Sequence, residues 1–166
     1  VTYFNLRLDR VRFRDNTWKV TEYSSEQDPH YVDVYLDRVG DLSKRMDLQY
    51  ATSDITAMGT PQKDFEICMQ YYKSERGECG DYVEQTGTVT FAPGAASTAI
   101  RLYIVDDFCP ERFDEVFKIS LFLPGGDVLT GKEYAAFVVI EDDDQVAGRL
   151  KNVAYCKRQS PVYSEI

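Results

Sequence analysis

The sequence predicts an all-β protein, a two-sheet antiparallel β-sandwich of the immunoglobulin-like kind with about seven strands. Apolar and polar residues alternate with a period of two over strand-length runs, as in 32–36 and 117–121. Turn signals separate these runs, for example Gly40-Asp41 and Pro93-Gly94. No long run of the sequence follows the 3.6-residue period of a helix. The alternation and the turn spacing therefore both favour a sandwich.

The alternation also assigns the two faces of each strand, because a shift of one residue would turn every side chain to the other face. In the last two strands, Phe122, Phe137 and Val139 point away from the core and predict either an apolar contact patch or a surface covered by an insertion. The predicted inner face comprises Val32, Val34, Leu36, Leu48, Phe91, Ile100, Leu102, Ile104, Phe117, Ile119, Leu121, Val138 and Ile140.

Residues 53–80 interrupt the alternation with a polar stretch that contains Gly59, Pro61 and two cysteines. This segment is longer than most loops of compact domains. It predicts a long insertion, with a helical turn around 63–72 and a disulfide that limits its freedom.

Four cysteines form an even set without a CxxC pair, and His30 is the one histidine of the chain. This composition lacks zinc-site spacing and predicts two disulfides in an oxidising compartment, extracellular or on the cell surface. Free buried cysteines in a cytosolic domain are the alternative. Cys68–Cys79 within the insertion is one pairing, Cys79–Cys109 is its main rival, and Cys156 lies beyond the domain. His30 is expected in a solvated turn.

The length and charge of the chain limit its partners. Its 166 residues suit one domain, predicted at 11–145, with flanks at 1–10 and 146–166 that belong to neighbouring units or linkers. A formal charge of −9 disfavours nucleic acid and anionic membranes and suits cations. The apolar runs have the length of strands, so direct membrane insertion is not expected. Because residue 1 is Val, we expect the chain to be a piece of a larger protein.

Acidic residues gather where the predicted strands end. Asp106-Asp107 follow one apolar run, Asp142-Asp143-Asp144 follow another, and Glu22 and Asp81 occupy similar positions. Adjacent like charges repel one another, and a divalent cation would relieve that repulsion. Calcium takes six to eight oxygen ligands in irregular geometry, which suits loops at one end of a sandwich. A solvated acidic rim is the alternative.

Several strings, in order along 11–145, resemble the Calx-beta family. Gly80-Asp81-Tyr82 followed by the run 87–94 (GTVTFAPG) is similar to its DY…GTLTFxPG pattern. The runs 104–107 (IVDD) and 114–117 (DEVF) resemble its IIDD and DExF motifs, and 136–144 (AFVVIEDDD) resembles its closing strand. Earlier in the chain, 34–41 (VYLDRVGD) and 50–54 (YATSD) are also similar to family strings.

This resemblance implies a calcium site at one end of the sandwich. The loop after Asp107 is one residue longer than the family pattern, which leaves the roles of Asp114 and Glu115 open. By position, the implied ligands are Glu22, Asp81, Asp106, Asp107, Glu111, Asp142, Asp143 and Asp144.

The predicted function is a calcium-binding structural or adhesive module of a larger extracellular or cell-surface protein. Its expected partners are neighbouring repeats of the same chain or other chains of an assembly. A calcium-independent spacer and a cytosolic calcium sensor of a transporter are the alternatives. An enzyme is not expected, since the sequence shows neither a Ser/His/Asp arrangement nor a glycine-rich phosphate loop.

Overall fold

The computed structural model describes residues 10–22, 30–70, 79–106 and 113–142. Two 3-10 turns (Gln62–Asp64 and Lys132–Tyr134) and one short helix, α1 (Phe65–Gln70), accompany the strands. None of the helices in these ranges is long and apolar enough to cross a membrane. The strands are β1 (Arg10–Phe13), β2 (Thr17–Thr21), β3 (Tyr31–Val39), β4 (Met46–Asp54), β5 (Gly59–Thr60), β6 (Tyr82–Val83), β7 (Thr86–Phe91), β8 (Ser97–Tyr103), β9 (Glu115–Phe122) and β10 (Ala135–Glu141).

The strands form the predicted sandwich. A three-stranded sheet has the order β1-β3-β8, a five-stranded sheet has the order β2-β10-β9-β4-β7, and β5 pairs with β6. The sandwich is not wholly antiparallel, because β2 runs parallel to β10 with Trp18 opposite Val138. Strands β1 and β2 lie in different sheets, so β2 can lie beside the last strand of the domain. A parallel pair needs such a distant connection.

The predicted inner face is confirmed. Every residue assigned to it is buried except Val32, which is half-buried and packs against the core. The sequence prediction missed Tyr82, which is fully buried and stacks on Phe117 with ring centroids 3.8 Å apart. Its short strand, β6, shows too little alternation to reveal its buried face.

The predicted outer patch is divided. Phe137 is 38% exposed, and Val139 beside it on β10 is half-buried. Phe137 lies opposite Lys118 of β9, whereas Phe122 lies four residues further along that strand, about 13 Å away at strand spacing. Phe122 therefore does not extend the apolar area around Phe137.

Arg38 organises the end of the sandwich where β3 finishes. It is 2% exposed, and its guanidinium lies 5.2 Å from the centroid of the Phe91 ring. Its nitrogens donate to the backbone carbonyls of Leu42, Lys44, Ala92 and Ala95 at 2.7 to 3.3 Å. One arginine thus satisfies the carbonyls of two neighbouring loops, as its five fixed donors allow.

The insertion has the predicted helical turn and the predicted disulfide. Gln62–Asp64 and α1 fall within the expected stretch, and Cys68 is bonded to Cys79. This pairing excludes the rival Cys79–Cys109, while Cys109 and Cys156 lie outside the described residues.

The described part of the insertion packs against the loop end of the sandwich. Cys68, Val83 and Val105 form a small second core, against which Phe65 and Cys79 pack. The ring of Phe65 also meets the ring of Tyr103, at the end of β8, with centroids 4.8 Å apart. The insertion is therefore attached to the loop end through its own apolar cluster.

Gln85 connects the two sheets at the edge formed by β8. Its backbone N–H donates to Thr52 Oγ1 on β4, and its backbone carbonyl accepts from the Thr52 N–H, both at 2.9 Å. Its side-chain amide donates to the Arg101 carbonyl (2.8 Å) and accepts from the Tyr103 N–H (3.1 Å). The amide thus occupies hydrogen-bonding positions that a further strand would otherwise use.

Replacement of a central core residue should destabilise the domain far more than replacement of an exposed one. Ile119 is fully buried, so we expect Ile119→Ala to lower the free energy of unfolding by about 2–5 kcal/mol. Val39 is 57% exposed, and Val39→Ala should cost no more than about 0.5 kcal/mol. Chemical denaturation measures both, and equal losses would contradict the described strand register.

Candidate metal centre

One end of the sandwich collects acidic residues from both sheets. Glu22 follows β2, Glu115 begins β9, and Asp142 follows β10. The backbone register holds these elements together, since Glu141 pairs with Thr21 and Glu115 with Ile140.

The other sheet and the insertion bring two further acids to the same end. Asp106 lies three residues after β8, and Asp81 lies just before β6. The two segments touch directly, because the Val105 N–H donates to the Asp81 carbonyl at 2.9 Å. The isolated bridge between Tyr82 and Ile104 continues this pairing. The topology therefore brings the segments that carry Asp81 and Asp106 together.

Residues 54–60 form a bracket around Asp81. The Met58 N–H donates to Asp81 Oδ2 at 2.6 Å, and the Asp81 N–H donates back to the Met58 carbonyl at 2.7 Å. Gly80 is required at this close approach, because a Cβ on it would overlap the Met58 carbonyl. The bracket fixes both the backbone and the carboxyl of Asp81.

The same bracket reaches β9 and so links Asp81 to Glu115. The N–H groups of Thr56 and Ala57 both donate to the Val116 carbonyl at 2.9 Å. The Val116 N–H in turn donates to Thr56 Oγ1 at 2.8 Å. Glu115 is thereby held next to the segment that carries Asp81.

Tyr82 connects this bracket to the core. Its ring lies in the core against Phe117, and its hydroxyl donates to Asp54 Oδ1 at 2.5 Å. The same oxygen accepts the Gly59 N–H at 2.9 Å. This bond and its burial raise the pKa of the Tyr82 hydroxyl, with burial the larger cause. The hydroxyl therefore stays protonated and remains a donor.

The carboxyl group of Asp81 interacts with that of Glu115. Burial raises the pKa of Asp81 above its ordinary value, and the charge of Asp54 adds to that rise. Hydrogen bonds from Glu115 and from the Met58 N–H act in the opposite direction without cancelling it. Burial thus disfavours the charged form of Asp81, which a nearby cation would favour.

Two of the predicted ligands are deeply buried. Glu22 is 3% exposed and Asp106 is 5% exposed, while Asp142 is half-buried. Burial of a carboxylate is costly unless it is paired or coordinates a metal. The donor set consists of hard oxygens, with no cysteine thiol in the described part of the chain, and it fits calcium or magnesium and not a thiolate-seeking metal.

The described residues provide only part of a metal site. Within them, no three cysteine, histidine or acidic side chains are arranged as ligands of one ion. The other predicted ligands lie outside the described residues: Asp107, Glu111, Asp143 and Asp144. A complete shell would have to draw on those positions.

Sequence reasoning did not assign the roles of Glu115 and Asp54. The extra residue in the preceding loop hides the role of Glu115 in the sequence, but as the first residue of β9 it is held next to the 54–60 bracket around Asp81. Asp114 is exposed. Asp54 belongs to one of the family strings, yet nothing in that string shows that Tyr82 and Gly59 donate to its carboxylate.

The expectation that His30 is solvated is wrong. His30 is 9% exposed, and its Nε2 lies 2.6 Å from the Thr21 carbonyl oxygen. Its backbone carbonyl accepts the Ile104 N–H at 3.1 Å. The histidine therefore connects β2 to β8 at the acidic end, a role that a preceding proline and polar neighbours did not reveal.

The comparisons with known proteins agree with this architecture. The model of the Calx-beta domain family matches residues 7–71 and 74–144. The chain belongs to the Calx-beta family. This Calx-beta domain is 30% identical over 136 residues to the sodium/calcium exchanger Calx of Drosophila melanogaster. The match covers 81% of this chain and 12% of the exchanger, so the domain spans a small part of that relative.

Solved structures of Calx domains share the fold. The apo form of the Calx CBD1 domain superposes with a TM-score of 0.60 at 28% identity, covering 82% of this chain and 99% of that one. The calcium-binding domain CBD12 of CALX1.1 gives a TM-score of 0.59 at 28% identity, covering 81% of this chain and 46% of that one. The predicted family and fold are confirmed, and the predicted ion is the one named for CBD12.

Removal of the Tyr82 hydroxyl should loosen the bracket without disturbing the core. Tyr82→Phe keeps the stack on Phe117 but removes a hydrogen bond to a carboxylate, so we expect a loss of about 1.5–3 kcal/mol in unfolding free energy. Thermal denaturation with chelator measures this loss. An unchanged stability would mean that the Tyr82–Asp54 bond does not hold the bracket.

The raised pKa of Asp81 should make the metal-free domain less stable as pH rises. A carboxyl with a raised pKa in the folded state stabilises it below the unfolded pKa of about 4, and that contribution is lost as pH rises through the folded pKa. In chelator, the stability of the wild type relative to Asp81→Asn should therefore fall with rising pH. Denaturation at a series of pH values tests this, and a difference that stays constant or increases would contradict the shift.

Proposed function

We propose that this domain is a calcium-binding module and that its role is binding, not catalysis. The observation that carries the proposal is that backbone hydrogen bonds hold the segments of Asp81, Glu115 and the buried Asp106 together at one end of the sandwich. Acids from both sheets repel one another at this end of the apolar core, and a cation among them would offset that repulsion. The Calx relatives, one of which is described as a calcium-binding domain, support the choice of ion.

The geometry favours calcium over magnesium. The acidic side chains come from strand ends and loops of different elements, which suits the irregular shell of six to eight oxygens that calcium accepts. Magnesium requires a near-ideal octahedron and keeps several waters, so it gains less from a protein cage of this kind. Among the described residues we assign Asp81 and Asp106 as ligands, with Glu22, Glu115 and Asp142 at the rim of the site, and we expect the other ligands to come from the predicted set of Asp107, Glu111, Asp143 and Asp144.

Calcium should stabilise the folded domain, because a ligand that binds the folded form alone raises its stability. At a hundredfold excess over Kd the gain is about 2.7 kcal/mol. We expect a clear rise in melting temperature with calcium, a smaller one with magnesium at equal concentration, and a matching heat of binding by calorimetry. An unchanged melting temperature in calcium would support the calcium-independent spacer.

A pair of matched variants tests the position of the site. Asp81→Asn should weaken calcium binding by about tenfold or more, since it removes one charged ligand. Asp127→Asn makes the same chemical change on an exposed residue of the β9–β10 loop, at the opposite end of the sandwich. It should leave calcium affinity unchanged. Equal effects of the two variants would place the ion elsewhere.

We further propose that the module belongs to a larger extracellular or cell-surface protein in which calcium stiffens the loop end. The Cys68–Cys79 disulfide supports an oxidising compartment. The similarity to the exchanger Calx favours a second candidate, a calcium-sensor domain on the cytosolic side of a transporter. Free thiols are quantified in the full-length protein, which is alkylated at the moment of cell lysis. An intact Cys68–Cys79 disulfide supports the extracellular module, and free thiols support the cytosolic sensor domain.

The proposed partners are neighbouring units of the same chain or other chains of an assembly. Phe137 is 38% exposed on the outer face of β10, where Val116 and Val139 are half-buried around it. Small apolar groups of this kind occur at contact surfaces. If this face meets a neighbour, Phe137→Asp should weaken association of the full-length protein without lowering the stability of the isolated domain.

A further inference from the structure

The disulfide of the insertion lies close to the proposed calcium site in the chain and in space. Cys79 precedes Asp81 by two residues. Cys68 is 2% exposed and belongs to the same small core as Val105, the residue before Asp106. One cysteine therefore lies two residues from Asp81 along the chain, and the other shares an apolar cluster with the residue that precedes Asp106.

Short backbone contacts continue from the disulfide to the ligands. The Gly80 N–H donates to Thr60 Oγ1 at 2.6 Å, and the Asp81 N–H donates to the Met58 carbonyl at 2.7 Å. The Asp81 carbonyl then accepts the Val105 N–H at 2.9 Å. Gly80 and Asp81, the two residues that follow Cys79, are thus each held by a hydrogen bond from their backbone N–H group.

We propose that the Cys68–Cys79 disulfide is a positioning element of the calcium site and that its reduction weakens calcium binding. This inference rests on the proposed calcium-binding function. It makes the affinity of the site depend on the redox state of the insertion, although neither cysteine contacts the ion.

The physical reason is the ordering of the chain. Cys68 and Cys79 are separated by 11 positions, and the bond restricts the freedom of the loop between them. Without it, the Gly80-Asp81 segment gains conformational freedom that must be lost again when the ion binds. Groups that orient metal ligands typically change metal affinity by 10- to 100-fold, and we expect about tenfold here.

The reductant is a dithiol. Its first thiolate attacks one cysteine sulfur, forming a mixed disulfide and releasing the other cysteine as a thiolate. Its second thiol then closes its own disulfide and releases the remaining cysteine. Two electrons and two protons pass from the dithiol to the protein in total. Cys79 is half-buried, whereas Cys68 is buried, so the attack is expected on the Cys79 sulfur.

The experiment compares calcium affinity in the oxidised and the reduced protein by calorimetry. A Cys109→Ser/Cys156→Ser background leaves Cys68 and Cys79 as the only cysteines. Dithiothreitol supplies the dithiol, and alkylation with mass analysis confirms the redox state. A second protein, in which Cys68→Ala and Cys79→Ala are added, should bind calcium with the affinity of the reduced form. Dithiothreitol should not change that affinity.

A control for overall stability is the oxidised Ile119→Val variant, whose substitution lies in the core between the sheets. It should melt at a lower temperature yet keep the calcium affinity of the oxidised background. If Ile119→Val weakens calcium binding as much as reduction does, the effect is one of general stability and the inference is wrong.

The remaining outcomes are distinct. A tenfold weaker affinity in the reduced protein, with its circular dichroism spectrum retained, supports the inference. Equal affinities overturn it while leaving the calcium-binding function intact. A reduced protein that is unfolded in chelator and not restored by calcium also overturns it, because the bond then holds the whole domain. No calcium binding by the oxidised protein would refute the proposed function itself.

Discussion

Electrostatic repulsion among carboxylates at the end of an apolar core is the constraint to which the rest of this structure responds. Two unit charges about 4 Å apart near a protein surface repel by about 4 kcal/mol. Elements of both sheets and the insertion nevertheless bring Glu22, Asp81, Asp106 and Glu115 to one end. The rigid surroundings of these acids hold them at this end, where a cation would relieve the repulsion.

Tyr82 transmits the rigidity of the core to that acidic end. Its ring is packed on Phe117 in the middle of the sandwich, and its hydroxyl holds Asp54, which in turn holds the backbone at Gly59. Neighbouring bonds then fix Asp81 from both sides. A loop site gains precision when its supporting residues are locked by packing, and here one aromatic side chain provides that connection.

The sequence predicted the sandwich and its inner face because both depend on local patterns of alternation and turn residues, and the acids at strand ends indicated where a metal site would be expected. It did not predict the buried role of Tyr82 or His30, because both lie beside very short or irregular segments whose burial is decided by distant elements. The role of Glu115 is hidden in the sequence for a related reason. The unusual length of the preceding loop obscures which residue begins β9, whereas the pairing of Glu115 with Ile140 defines it in the structure. The parallel pairing of β2 is likewise not visible in its own sequence, because it depends on the position of β10, more than 100 residues later.

Gln85 has a consequence for any polypeptide in which copies of this domain stand close together. Identical sheets at high local concentration tend to join along their open margins, which leads to misassembly and fibres. Near Arg101 and Tyr103 the side-chain amide already fills the place that an intruding backbone would take. A single glutamine thus blocks part of one edge strand from pairing with another chain. Neighbouring domains in a crowded array would then have to associate through side-chain contacts instead.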